Sequence, residues 1–240
     1  MPNTLPLEQL LACADTSWTT ARGITRHWRR QGLVVRAFER RTADLRDVGN
    51  SVAVLVPVSD AEPPQAGEPA DDVLETVLAL AVDRPRRRLR ADLVDSRGEE
   101  LRADLLVVDG DTFWARQGAE LLTNGGNVDH GHGGGDVAHL LSPSRVLELF
   151  DLTVIGETEV AGRRCLQAHA RRRPPSAYRD ERPPFAMIAG GDDFRLAVDH
   201  ETGVLVQVEK VVDGEVAEVT GWRELVLDEP LPDELFTPPR

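Results

Sequence analysis

The 240-residue sequence predicts an α+β fold, in which one long, curved and mainly antiparallel β-sheet carries two helices on one of its faces. Three observations indicate this class. Runs of strand-like alternation are joined by turn signals, helical periodicity is clear in two places only, and helices and strands do not alternate as a parallel sheet requires. A rough count gives about eight to ten strands. A sheet of that size against two helices leaves volume for side chains or for a ligand.

The first helix is predicted close to the N-terminus. Proline is tolerated in the first turn of a helix, and Pro6 precedes the apolar stripe. The stripe residues recur at helical spacing: Leu7, Leu10, Leu11, Ala14 and Trp18. Residues 24–41 fit either a strand start followed by more strand or a strand followed by a helix, and the pattern leaves both open.

A second, short helix is predicted in the middle of the chain. Ser142 and Pro143 provide a cap and a first-turn proline. Val146, Leu147 and Phe150 would form the apolar face of this helix, which we expect to pack on the sheet.

Strand signals are clearest toward the C-terminus. Val204, Val206 and Val208 alternate with polar residues, as in a half-buried strand. Asp213–Gly214 predicts a hairpin turn because both positions tolerate positive φ. A further strand, NSVAVLVPV, is predicted from Asn50.

Length favours a single domain over residues 1–240, because large antiparallel sheets often reach this size as one unit. Three segments rich in proline, glycine or acidic residues are predicted to be flexible loops: residues 59–73, 124–137 and 174–186.

Charge and composition exclude several classes of function. The formal net charge of −13 disfavours contact with phosphate backbones, so we expect no nucleic-acid partner. The longest apolar run, Val77–Val82, is too short to span a membrane. Residues 1–25 lack a basic stretch followed by an apolar one, so no signal peptide is expected and the location is predicted to be cytoplasmic.

The familiar catalytic motifs are absent from the sequence. A phosphate-binding loop of the Walker type needs a lysine after glycines, and Lys210, the only lysine, lies inside a predicted strand. No G-x-S-x-G or H-E-x-x-H occurs. Cys165 and His169 share a strand face but are too far apart for a direct hydrogen bond. We therefore expect no catalytic residue and no cofactor.

The glycine-rich stretch NGGNVDHGHGGGDV, residues 124–137, supports two interpretations. His130 and His132, with Asp129, Asp136 and His139 nearby, supply ligands that a divalent metal accepts. Ordering so many glycines around a metal is costly, whereas metal sites usually stand on rigid elements. A mobile surface flap is the favoured interpretation, and a metal-dependent enzyme using His130 and His132 is kept as an alternative.

The C-terminal third resembles the closing strands of the LolA-like superfamily. The stretch FRLAVDHETGVLVQVEKVVDGEVAEVTGWREL has the family's order of a strand, an Asp-x-x-Thr-Gly turn at Asp199–Gly203, a strand and a hairpin. DEPLPDELFTPP then supplies Pro-x-x-x-Phe at Pro232–Phe236. VVDGDTFWAR, LLSPSRVLEL and AGRRCLQAHARRR resemble the family's mid-sheet hairpin, mid-chain helix and next strand. Together these segments span residues 100–240.

The resemblance implies a half-barrel, with the sheet wrapped around an N-terminal helix and a short mid-chain helix, and an apolar cavity for acyl chains. The superfamily contains lipoprotein carriers, sigma-factor regulatory periplasmic proteins and mycobacterial lipid-carrying lipoproteins, and it is mostly extracytoplasmic. A non-catalytic lipid-binding protein, carrier-like or sensor-like, is the implied function. The alternative is a protein-interaction module whose core is filled.

The candidates for lining such a cavity are residues expected on the inner face of the sheet or on the helix that closes it. A filled core would use the same side chains. They are Leu10, Leu11, Trp18, Trp28, Leu105, Val107, Phe113, Leu196, Val206 and Trp222.

Overall fold

The structure is a computed structural model that describes residues 6–36, 73–94, 100–117, 120–123, 140–173 and 193–238. The strand that was predicted to begin at Asn50 lies outside the described residues, and so do the two candidate metal ligands, His130 and His132. So do the predicted loops 124–137 and 174–186, and nearly all of 59–73.

The described strands form one antiparallel sheet of eleven strands, which confirms the predicted fold class. This is one strand more than the upper end of the sequence-based count. The strands are β1 (Thr20–Arg30), β2 (Val73–Asp83), β3 (Arg88–Val94), β4 (Glu100–Asp109), β5 (Thr112–Gln117), β6 (Glu120–Thr123), β7 (Phe150–Val160), β8 (Arg163–Arg172), β9 (Asp193–Asp199), β10 (Leu205–Val212) and β11 (Glu215–Leu227).

Their order in the sheet is β6-β5-β4-β3-β2-β1-β11-β10-β9-β8-β7. Two meanders, β1 to β6 and β7 to β11, are joined where β1 pairs antiparallel with β11. The outermost described strands, β6 and β7, lie at opposite edges, which agrees with an open half-barrel.

The helices are few and short. They include α1 (Leu7–Cys13), α2 (residues 31–36) and α3 (Val146–Leu149), with 3-10 turns at Ala14–Thr16 and at Asp233–Phe236, and residues 140–141 are helical as well. Residues 24–41, which the sequence left open, are strand to Arg30 and helical from residue 31 as far as they are described. None of the described helices is long and apolar enough to cross a membrane.

The mid-chain helix exists but differs from its sequence prediction. Arg145, not Ser142, is the residue before its first turn, and the Val146 N–H donates to the Pro143 carbonyl at 2.9 Å. Phe150 begins β7 and does not belong to the helix. A Ser-Pro pair also starts a simple turn, and here the chain passes through that turn before the helix begins.

The core lies on one face of the sheet, which we call the inner face and define by Ala168, Phe194 and Leu196. In the β8–β9 ladder Ala168 pairs with Leu196. The helices bury their apolar residues in the same cluster, and Phe150 meets Phe194 edge to face with ring centroids 5.4 Å apart. The helix residues involved are Leu7, Leu10, Leu11, Val146 and Leu149.

The opposite, outer face of β3 and β4 is covered by the C-terminal 3-10 turn. Arg88 stacks over Phe236, with its guanidinium 4.4 Å from the ring centroid, and donates to Asp233 at 2.8 Å. Arg90 donates to the Leu235 carbonyl at 3.2 Å. The C-terminal turn thus covers part of the outer face of these two strands.

The turn at Asp199–Gly203, predicted from the sequence, anchors the hairpin on which α1 rests. Asp199 Oδ1 accepts hydrogen bonds from the N–H groups of Glu201 and Thr202 and from the Thr202 hydroxyl, at 3.0, 2.7 and 2.7 Å. Burial alone would raise the pKa of Asp199, but the hydrogen bonds from Arg163 and Thr202 bring it below its usual value. Asp199 therefore stays ionised as the acceptor at the centre of the turn.

Gly203 ends this turn where no other residue fits. Its φ is +75°, and a Cβ at this position would lie 2.0 Å from the carbonyl oxygen of Leu10 in α1. The close approach brings α1 directly onto the β9–β10 turn.

Gly203→Ala is expected to lower the free energy of unfolding by about 3 kcal/mol, because it adds strain and a backbone collision. Gly214→Ala is the matched control, since Gly214 has φ +81° but nothing within 4 Å of its added Cβ. The control should cost about 1 kcal/mol. Urea unfolding of both variants measures the difference, and equal losses would contradict the docking of α1 on this turn.

Candidate functional site

The inner face continues from the core onto β2–β5 as two rows of apolar residues, which we call the apolar wall. The register of the strands aligns the rows across the sheet. One row is Leu80, Ala91, Leu106 and Ala115, and the other is Val82, Leu89, Val108 and Phe113.

The wall is joined to the core but is only partly covered. Leu80 and Leu89 are buried members of the core cluster, whereas Leu106, Val108 and Phe113 keep part of their surface exposed. Neither row contains a polar side chain. Such a surface can hold an alkyl chain by burial alone, without selecting a polar group.

Six of the predicted cavity residues lie in the core on the inner side of the sheet, and Phe113 lies in the wall. Each of the six is almost fully buried, with packed neighbours around it. These six are Leu10, Leu11, Trp18, Leu196, Val206 and Trp222. They form the filled part of the inner face.

Trp28, Leu105 and Val107 lie on the outer face, so the expectation that they share a face with Leu196 is wrong. Alternate residues of a strand point to opposite sides. In β4, Leu106 belongs to the apolar wall, which turns its neighbours Leu105 and Val107 outward. Val107 pairs with Arg90, on the face that the C-terminal turn covers.

A buried charged cluster on the inner face was missed by the sequence analysis. Lys210 and Glu218 are only 5% and 6% exposed, and the ammonium of Lys210 contacts Glu218 Oε2. His27 Nε2 lies 2.6 Å from Glu218 Oε1. Both oxygens of the carboxylate are therefore engaged.

The pKa of Glu218 follows from these contacts. Burial would raise it, but the hydrogen bond with His27 and the charge of Lys210 outweigh burial and lower the pKa from 4.5 to about 2. Lys210 and Glu218 thus form a buried ion pair on the inner face of the sheet, and their opposite charges compensate each other.

The remaining polar candidates do not assemble into a catalytic group in the described ranges. Burial, followed by the nearby charge of Asp199, raises the pKa of the Cys165 thiol to about 11, which opposes nucleophilic chemistry. His169 lies 3.4 Å from Asp193 instead of contacting Cys165. Within the described ranges, no three His, Cys, Asp or Glu side chains are grouped so that they could hold a metal.

Comparisons with known proteins find likeness in structure only. No protein-family model matches the chain, and no curated protein matches it. The MucA/MucB complex of Pseudomonas aeruginosa aligns with 95% of this chain and 59% of the other, at 17% identity and TM-score 0.46. This chain thus spans less than two thirds of that structure.

Two further structures match over nearly their whole length. The lipoprotein LppX of Mycobacterium tuberculosis has 10% identity and TM-score 0.44, and the alignment covers 94% of this chain and 97% of the other. A LolA superfamily protein of Nitrosomonas europaea has 8% identity and TM-score 0.33, with 97% and 98% covered. The superfamily that the C-terminal segments resemble is thus among the structural neighbours. At TM-scores this low the likenesses carry no inference about ligand or partner.

Glu218→Gln is expected to lower the free energy of unfolding by about 3–5 kcal/mol, because it leaves the Lys210 ammonium buried without a counter-ion. The double variant Lys210→Met, Glu218→Leu should recover most of this loss. Urea unfolding at neutral pH compares the two, and a single variant as stable as the double one would contradict a buried pair.

Acid should destabilise the fold by protonating Glu218. Because the folded pKa of Glu218, about 2, lies below its usual value of 4.5, its ionised form stabilises the fold above pH 4.5. That contribution is lost as pH falls from 4.5 toward about 2. Stability measured across this window should fall less steeply in the double variant, and identical slopes would contradict the assignment.

Proposed function

We propose that this protein binds a hydrophobic or amphipathic ligand, a lipid or acyl chain, without catalysing a reaction, and that the chain of the ligand lies on the apolar wall. The observation that carries the proposal is the continuity of the wall with the core. Burying a methylene is worth about 0.8 kcal/mol, so an alkyl chain on this surface gains affinity without polar contacts. The carrier-like or sensor-like role belongs to the same proposal.

The charge and chemistry of the described residues support a non-catalytic role. The raised pKa of Cys165 and the closed Lys210–Glu218 pair leave neither group poised for nucleophilic or acid–base work. A net charge of −13 favours a ligand other than nucleic acid. The cytoplasmic location and the single domain remain predictions from the sequence.

A second candidate function is the binding of a protein partner along β7. Val154 and Ile155 in this strand are 49% and 52% exposed, which is unusual for large apolar residues, and no strand within the described residues pairs with the outer edge of β7. Val154→Lys would block strand addition at this edge and should leave ligand binding at the wall unchanged.

The metal-dependent alternative rests on His130 and His132, outside the described residues, and stays a prediction. Metal analysis of the untagged protein tests it, and the absence of stoichiometric metal would remove it.

Leu106→Gln is expected to weaken binding of the neutral probe N-phenyl-1-naphthylamine about fivefold, because it places an amide in the apolar wall. Leu105→Gln is the matched control: the same residue type, one position away, equally half-buried, and on the outer face. Fluorescence titration gives both dissociation constants. Equal losses in the two variants, or no binding by the unsubstituted protein, would overturn the proposed site.

A further inference from the structure

The outer face of the sheet carries a built site for a carboxylate, and the chain itself occupies this site. Arg86 and Arg88 both donate to Asp233 Oδ1, at 2.9 and 2.8 Å. Arg88 is 8% exposed, and its second terminal nitrogen donates to Asp83 at 2.5 Å. The two arginines share Asp83, so Asp233 supplies the second negative charge. Because a buried cation that loses its partner costs folding free energy, this site requires an acidic group.

The same place also holds an aromatic ring and a carbonyl group. Phe236 is buried, and the guanidinium of Arg88 lies 4.4 Å from the centroid of its ring. Arg90 donates to the Leu235 carbonyl at 3.2 Å. We call Arg86, Arg88 and Arg90 the arginine site. It holds a carboxylate that is followed three positions later by an aromatic ring.

The segment in the arginine site is attached to the sheet without any strand pairing. Within the described residues, the chain after Asp228 makes no backbone–backbone hydrogen bond with a strand. The side chain of Asp233 is 75% exposed, and Phe236 is the one buried residue among residues 229–238. The segment can therefore leave the outer face without opening the sheet.

The segment also leaves one donor of the arginine site unused. Both terminal nitrogens of Arg88 are engaged, but its Nε is buried and makes no hydrogen bond in the described part of the chain. Buried N–H groups are nearly always paired, and a guanidinium can offer two of them to one carboxylate. Asp233 accepts from both arginines through a single oxygen, Oδ1. A carboxylate that also reached Arg88 Nε would fill the site more completely.

We propose that the arginine site docks a segment of a partner protein that carries a carboxylate three residues before an aromatic ring, and that Asp233–Phe236 occupies the site until the partner segment displaces it. The exchange replaces one acidic group by another, so the charge of Arg88 stays compensated throughout. A basic segment would leave that charge buried and unpaired. The site lies on the opposite face of the sheet from the apolar wall, so this interaction goes beyond lipid binding and does not depend on it.

The test uses the full chain with its own contact groups removed by Asp233→Asn and Phe236→Ala, which we call the vacated variant. The probe is a fluorescein-labelled peptide, PLPDELFTP, the sequence of residues 230–238. In the unsubstituted chain the tethered segment competes at an effective concentration on the order of millimolar. Fluorescence anisotropy should therefore show that the vacated variant binds the peptide at least about tenfold more tightly.

Altered peptides and a second arginine variant test which groups are recognised. The peptides PLPNELFTP and PLPDELATP each lack one contact group and should bind the vacated variant about tenfold more weakly. Adding Arg88→Gln to the vacated variant should abolish binding, because it removes the cation that contacts both groups. Arg87→Gln is the matched control at the neighbouring position, where the guanidinium is exposed and paired with Asp111 at 2.8 Å. It should leave the affinity for the peptide unchanged.

A measurement on the unsubstituted chain covers the case in which the vacated variant does not fold. The unlabelled peptide at about 1 mM should displace the tethered segment and raise the hydrogen exchange of residues 229–238, while the exchange of α1 stays the same. Mass spectrometry of fragments that begin before Glu229 reports the chain alone, because the peptide lacks those residues.

The results that contradict the docking site are specific. They are a folded vacated variant that binds no peptide or binds all three peptides equally, or Arg88→Gln without effect. If the vacated variant is unfolded, unchanged exchange of residues 229–238 in the unsubstituted chain overturns the proposal instead. None of these results affects the proposed lipid binding, which is measured separately with N-phenyl-1-naphthylamine at the apolar wall.

Discussion

The pairing of β1 with β11 is the interaction on which the rest of the structure depends. It joins the two meanders into one sheet, so that the core on β8–β11 continues into the apolar wall on β2–β5. Just beyond the paired residues, at the start of β1 and the end of β11, the N–H and hydroxyl of Thr19 both donate hydrogen bonds to Asp228 at 2.7 Å. Hydrogen bonding from Thr19 is also the main reason why the pKa of Asp228 lies below its usual value. Without this junction the two meanders would not share one continuous inner face.

Local turn chemistry made much of this fold predictable. The turn at Asp199–Gly203 and the hairpin at Asp213–Gly214 depend on residues that accept positive φ, and φ is +53° at Asp213 and +81° at Gly214. The position of α1 was predictable from its apolar residues, which recur at helical spacing and are buried in the structure. The sequence does not tell which residues of β4 point inward, because four consecutive residues, Leu105, Leu106 and the two valines after them, put apolar side chains on both faces of the strand. The outer face of that strand is covered by the C-terminal turn, and Val107 is fully buried there, so apolar residues occur on its outer side as well.

The polar part of the site depends on β-bulges, which a sequence pattern does not locate. A regular hairpin from Asp213–Gly214 would pair Lys210 with Ala217, but the register shift between Lys210 and Val211 brings Glu218 opposite instead. A second shift between Ile24 and Thr25 sets the position of Trp222 beside β1. The buried ion pair and the position of Trp222 are both consequences of these single-residue shifts, which is why composition and spacing did not reveal them.

Native mass spectrometry of the untagged full chain, followed by organic extraction and lipid analysis, tests the central claim most directly. The account predicts a stoichiometric bound molecule that carries an alkyl chain. A clean mass of the chain alone, unchanged after incubation with mixed lipids, would contradict it and would mean that the inner face is closed to ligands.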